Sequence, residues 1–172
     1  MGSKIHKFQE KIELTYEQYF HICFDEVIRL SVEFEKALGR DKAFEVIGRA
    51  REKADLDIIG KQMKERPPIE SFEDFKAFMK ELHESPFSSH LFTITYKEDV
   101  PNEIEFHTTE CILAKVFREM NAADLGYAMC CRPDFATTPA YNPHVRLRRI
   151  KTLMQGDNYC DTAYCWVNKT NE

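Results

Sequence analysis

Apolar positions in the first half of the chain recur at helical spacing, and those in the second half mostly alternate. Phe20, Cys23, Phe24, Val27, Ile28, Phe34 and Leu38 follow a turn-by-turn pattern after Thr15-Tyr16-Glu17-Gln18. That tetrad is a capping box, in which the Thr hydroxyl takes a free amide and the Gln side chain reaches back. Gly39 reads as the stop of this first helix. A second helix is predicted from Asp41 through Phe44, Ile47, Ala50, Ala54 and Ile58, ending before Pro67-Pro68, which forbid its continuation. Ser71 opens a third that carries Phe75, Phe78, Met79 and Leu82. Cys23, on the first apolar stripe, is expected to be a buried structural thiol.

Beyond residue 88 the period shortens. His90 to Tyr96 and Glu103 to His107 alternate around the turn Asp99-Val100-Pro101-Asn102 and predict a hairpin. A helix is expected from about Glu110 to Asn121, then a strand from Gly126 to Arg132 and a long turn region from Pro133 to Pro143. His144 to Met154 and Tyr159 to Val167 flank Gln155-Gly156-Asp157-Asn158 as a second hairpin. The order predicts an α+β fold in which N-terminal helices pack with an antiparallel sheet of about five strands and one inserted helix. A single domain is expected over 1–172, helical at 12–84 with an α+β core at 88–168.

Composition narrows the function classes. The net charge of -5 argues against a general nucleic-acid footprint. No apolar run reaches a membrane-spanning length, and Met1 to His6 holds no signal core or myristoylation motif, so a cytoplasmic protein is expected. Its six cysteines are then expected to be reduced thiols. The anticipated partner is a small molecule. The helical half reads as a lid, a dimer contact or a second layer over the sheet, which leaves homo-oligomer formation open.

The chemistry concentrates in the last third. Cys111 follows Thr108-Thr109-Glu110 in the first turn of its expected helix, where free amides and the dipole favour a thiolate. Cys131-Arg132-Pro133-Asp134 sets a thiol at an expected strand end, three residues from a carboxylate. Cys160-Asp161 opens the last strand, with Cys160 as the site candidate because adjacent strand residues face opposite sides. For the same reason only one of Cys130 and Cys131 is expected to face a site. Cys111, Cys131 and Cys160 also make a three-ligand set for zinc with an open fourth position, although they lack the paired spacing of structural zinc sites. His107 precedes Cys111 closely enough to count as a site residue. One of the basic residues between Arg146 and Arg149 is a candidate anchor for a substrate carboxylate, and Arg148 is the choice here.

Thr108-Thr109-Glu110-Cys111, Cys131-x-x-Asp134-Phe135-Ala136, Asn142-Pro143 and Lys151-Thr152-Leu153-Met154-x-Gly156-x-x-x-Cys160-Asp161 together resemble the L-2-amino-thiazoline-4-carboxylic acid hydrolase family. The resemblance runs from about His107 to Tyr164. It implies a hydrolase acting on a non-peptide carbon–nitrogen bond of a small cyclic amidine. Cys111, Cys131, Asp134 and Cys160 would be its catalytic group, with Asn142, Arg148 and His107 binding the substrate. The competing expectation is a small-molecule or metal sensor that uses the same cysteines without turnover.

Overall fold

The computed structural model describes residues 11–98 and 100–167. The expectations for Met1 to His6 and for Asp99 in the first turn therefore lie outside the described residues. Helix α1 (Tyr16–Leu38) starts with the predicted capping box: Thr15 Oγ1 accepts from Gln18 N at 3.1 Å, and Gln18 Oε1 accepts from Thr15 N at 3.0 Å. Gly39 ends α1 and opens α2 (Arg40–Lys64) at φ 78°, a backbone region open to glycine. Asp41 thus lies in the first turn of α2 and is not its cap. Ser71 caps α3 (Phe72–Glu84) as expected, with Asp74 returning the bond. A short α4 (Pro86–Leu91) leads into the sheet.

Strands β1 (Phe92–Tyr96), β2 (Glu103–Cys111), β3 (Val145–Arg148) and β4 (Cys160–Trp166) form one antiparallel sheet in the order β1-β2-β4-β3. Between β2 and β3 run α5 (Ile112–Glu119), α6 (Ala123–Gly126), a π-helical segment Tyr127–Cys131 and α7 (Pro133–Thr137). Two layers result, with helices over one face of the sheet. Ile104, Phe106, Thr108 and Val145 point into the helices and are buried. Phe75, Phe78 and Met79 of α3 pack on Ile104 and Val145, while Phe24 of α1, Phe117 of α5, Leu125 of α6 and Met154 form a second core. The outer face carries Glu103, Glu105, His107 and Arg148, all still in contact with solvent. Among the described residues no helix is long and apolar enough to cross a membrane.

Further expectations are overturned. The fifth strand does not form: Gly126 to Arg132 is helical, with Arg132 N donating to Tyr127 O at 2.9 Å across a widened turn. The run Tyr127-Ala-Met-Cys-Cys lacks β-branched residues, and Ala and Met favour helix. Cys130 and Cys131 are therefore neighbours on a helical turn, both partly buried, and not on opposite strand faces. The expected strand from His144 to Met154 stops at Arg148, and Leu153–Gln155 is a single 3-10 turn capped by Thr152. Cys23 is exposed, because the apolar stripe of α1 is wider than the face it buries.

Candidate functional site

A β-bulge decides where Cys111 points. Ile94 pairs with Thr108 and Thr93 with Glu110, so Thr109 has no register partner on β1, although its hydroxyl donates to the Thr93 carbonyl at 3.5 Å. Strict alternation would put Cys111 on the outer face with His107. The extra residue reverses the alternation and turns Cys111 to the helix side, as bulges do. Cys160 lies on that same side, paired in register with Thr108. The two thiols thus come from adjacent strands onto one interior wall.

Cys111 ends β2 and caps α5, its Sγ accepting from Ala114 N at 3.5 Å. Burial nevertheless pushes the thiol up to about 11, against the pull of the helix amides. The thiolate expected from position alone does not hold: desolvation outweighs the helix terminus. Cys160 Sγ accepts from Leu153 N at 3.3 Å, and burial raises this thiol as well.

The π-helical segment and α7 bring Cys131 and Asp134 together, with Pro133 in the first turn of α7. Arg149 reaches them from just past β3. Its Nη1 donates to Asp134 Oδ2 at 3.0 Å, its Nη2 donates to the carbonyl of Cys131, and its guanidinium stands 5.4 Å over the Phe135 ring. The Arg149 side chain is only 9% exposed, whereas Asp134 keeps 42% of its side chain accessible. Asp134 is packed round by protein yet touches solvent. Burial lifts its carboxyl above the usual range, although the charge and hydrogen bond of Arg149 oppose this. Burial also raises Cys131, and takes Cys130 to about 12.

These groups act on one another. The charge of Arg149 reaches Cys111, Cys131 and Cys160. Cys111 is coupled to Cys160 and to Cys131, and Cys131 to Asp134. Four of the candidate residues therefore share one neighbourhood, and the cation that acts on all four is Arg149. Sequence reasoning narrowed the anchor to positions 146–149 but chose Arg148. The signal that separates them is where β3 ends. A cleft of about 790 Å³ opens beside the cluster, lined by Cys111, Phe92, Lys115, Arg118 and Leu153 among others. Cys131, Asp134 and Cys160 do not line it, so Cys111 is the member of the cluster that reaches the cleft.

The sulfurs do not form a metal cage. Among the described residues the one set of three metal-ligating groups whose donor atoms all lie within 4.8 Å of one another is Glu17, His21 and Glu119. Cys111, Cys131 and Cys160 are therefore too spread to act together as three ligands in this arrangement. At the acidic set the ammonium of Lys115 already donates to both Glu17 and Glu119, which ties α1 to α5.

The remaining candidates stand elsewhere. His107 lies on the outer face, stacked on Tyr159 with ring centroids 4.0 Å apart. Arg148, also on that face, bonds Glu103 at 2.6 Å. Asn142 donates to Ile69 O at 2.8 Å and accepts from His144 N at 2.8 Å, fastening the α2–α3 connection to the approach to β3. Asp161 accepts from the amides of Ile150 and Lys151; burial works against its ionisation, but these bonds win and hold it below the usual carboxylate range.

Comparison with known proteins adds three findings. The family model described as L-2-amino-thiazoline-4-carboxylic acid hydrolase matches residues 7–164, so the likeness extends through the helical half as well as the final third. No curated protein matches. A solved structure described as the phenol-responsive sensory domain of the transcription activator PoxR, with phenol, is similar at a TM-score of 0.48 and 15% identity. That alignment covers 92% of this chain and 78% of the other.

Proposed function

Because the chain belongs to the L-2-amino-thiazoline-4-carboxylic acid hydrolase family, we propose that it hydrolyses a carbon–nitrogen bond of a small cyclic amidine such as a 2-aminothiazoline carboxylate. The observation that carries this reading is the Arg149–Asp134 pair, a cation and a carboxylate in electrostatic reach of three partly buried thiols, of which Cys111 lines the cleft. The raised thiols favour water as the nucleophile over a resting thiolate. Water adds to C2 of the amidine, and Asp134 takes one of its protons as general base. The tetrahedral carbon then expels the ring nitrogen. That nitrogen leaves as an amine with both protons of the water, one of them delivered by Asp134, and the oxygen becomes the carbonyl of a carbamoyl thioester. Arg149 receives the substrate carboxylate through its charge. Cys111, Cys131 and Cys160 donate weak hydrogen bonds from neutral S–H groups to the ring.

The test is incubation of the purified protein with 2-amino-thiazoline-4-carboxylate and mass analysis of the product. Gain of one water with no new free thiol supports opening at the carbon–nitrogen bond. A product bearing a free thiol moves the break to carbon–sulfur and overturns that step. Asp134→Asn should lower turnover at least ~100-fold, within the range for lost general-base groups, and Cys131→Ala, which removes one weak hydrogen bond, roughly several-fold. A variant that keeps the full rate removes its residue from the mechanism. The second reading, a binding module, is favoured by the protonated thiols: saturable binding without turnover would establish it in place of the hydrolase.

A further inference from the structure

The face of β4 that looks into the helices is polar, although a sheet face covered by helices is ordinarily apolar. Cys160, Thr162 and Tyr164 lie on it, because their register partners Thr108, Phe106 and Ile104 all point inward. Tyr164 also pairs with Leu147 of β3, and Arg149 follows Leu147 by two residues, just past the strand end. The Tyr164 ring is fixed by its neighbours. It stands edge-on to Phe75 of α3 at 5.5 Å and tilted against Phe106 at 6.0 Å, centroid to centroid. Its hydroxyl is not used by the fold. Among the described residues it makes no hydrogen bond, yet the one buried side-chain polar atom without a partner is Arg149 Nε. The Tyr164 oxygen is therefore both unbonded and open to solvent, whereas a tyrosine hydroxyl under a packed layer usually finds a partner.

The groups around this hydroxyl are those of the site. Asp134 and Arg149 both act on it, as do Tyr141 and Tyr96, and Arg149 feels Tyr164 in return. Burial, with the Asp134 carboxylate next, pushes the phenol well above its ordinary value, so it keeps its proton throughout the neutral range.

We infer that Tyr164 is a further catalytic residue of the hydrolysis proposed above, an assignment that rests on that reading, and that its hydroxyl donates a hydrogen bond to the oxygen that adds to C2. Asp134 removes a proton from the attacking water, so a donor in the field of Asp134 addresses the same oxygen. Negative charge gathers on that oxygen as its bond to C2 forms. A neutral O–H that no other group has claimed stabilises it more strongly than it holds the uncharged water. The proton stays on Tyr164 throughout, so no bond beyond those already described forms or breaks. An interaction that grows with the charge belongs to kcat and not to KM.

The test is steady-state hydrolysis of 2-amino-thiazoline-4-carboxylate by the full chain and by Tyr164→Phe, which keeps the ring on Phe75 and Phe106. The variant should lose about 100-fold in kcat with KM within about two-fold of wild type. The acid limb of the pH–rate profile, set by Asp134, should stay in place, because a neutral phenol adds no charge to that carboxyl. The thermal midpoint should not move, because the hydroxyl bonds nothing in the fold. A Tyr164→Phe enzyme with the wild-type kcat overturns this inference and leaves the hydrolase reading standing. So does a rise in KM alone, or a loss of rate that comes with a lowered thermal midpoint, which would make the hydroxyl structural. A loss in Tyr141→Phe with the Tyr164→Phe rate intact moves the donor to Tyr141 and overturns the assignment to Tyr164. A wild type without turnover overturns the hydrolase reading and this inference with it.

Discussion

Arg149 Nη1 bonds the carboxylate of Asp134 at 3.0 Å across a separation of fifteen residues, and the same guanidinium also holds the carbonyl of Cys131. One side chain from the end of β3 thus fixes two groups from the helical connection. Its Nε is buried with no partner among the described residues, so the pair is not fully satisfied by protein alone.

Arg149→Met should destabilise the fold by about 2–3 kcal/mol, below the cost of breaking a fully buried pair because Asp134 keeps some solvent. The cation now pulls the Asp134 titration down, so its removal should move that titration to higher pH. Denaturant melts measure the first effect and carboxyl NMR titration the second. An unmoved Asp134 would show that the pair does not form in solution.

Alkylation of the folded protein should begin at Cys23, the exposed thiol. Cys111, Cys130, Cys131 and Cys160 should label slowly at neutral pH, because burial keeps each protonated. Peptide mapping after timed iodoacetamide treatment gives the order. Fast labelling at Cys131 or Cys111 would mean a thiolate is present and would revive a covalent mechanism.

His83 supplies a stability change with pH. Burial lowers it to about 4; its Nδ1 lies 2.6 Å from the Tyr96 hydroxyl, and its ring meets Phe106 edge-on. The folded state binds this proton less readily than the unfolded chain does, so neutral His83 favours folding above the unfolded value of 6.5. That contribution should fall as the pH drops below 6.5 and be gone near 4, a loss on the order of 2–3 kcal/mol. A His83→Gln variant should show a flatter stability profile across that interval. Equal slopes in the two proteins would rule out His83 as the cause.

Gly126→Ala probes the packing under the site. A Cβ there would stand 2.6 Å from Met154 Sδ and 2.7 Å from Phe117 Cγ, both in fully buried side chains. Overpacking of this kind costs about 1–3 kcal/mol. Gly60→Ala meets nothing within 4 Å and should be neutral or slightly stabilising, which makes it the control for thermal melts.

Local signals were readable in the chain and long-range ones were not. Thr15 and Ser71 declare their helices because the capping partners lie three residues away. The β1–β2 hairpin is equally local. The seven residues from Gly126 to Arg132 are of mixed apolar character and fit either period, and only their lack of β-branched residues leans to helix. Cys111, Cys131, Asp134 and Cys160 come into electrostatic reach of one another, but of the four only Cys111 lines the cleft. Arg149 escaped because alternation along the basic run cannot say where the strand stops. Cys23 reads as core in the sequence and is exposed in the fold, because hydrophobicity marks a stripe but not what covers it.

Thr109, the extra residue of the bulge, makes the stretch from His107 to Cys111 sensitive to length more than to identity. Most exchanges at that exposed position would keep the sulfur of Cys111 aimed inward. Loss of the one codon would leave all six thiols in the gene product, yet swing that sulfur out beside His107 and disarm the pocket wall without removing a single reactive group.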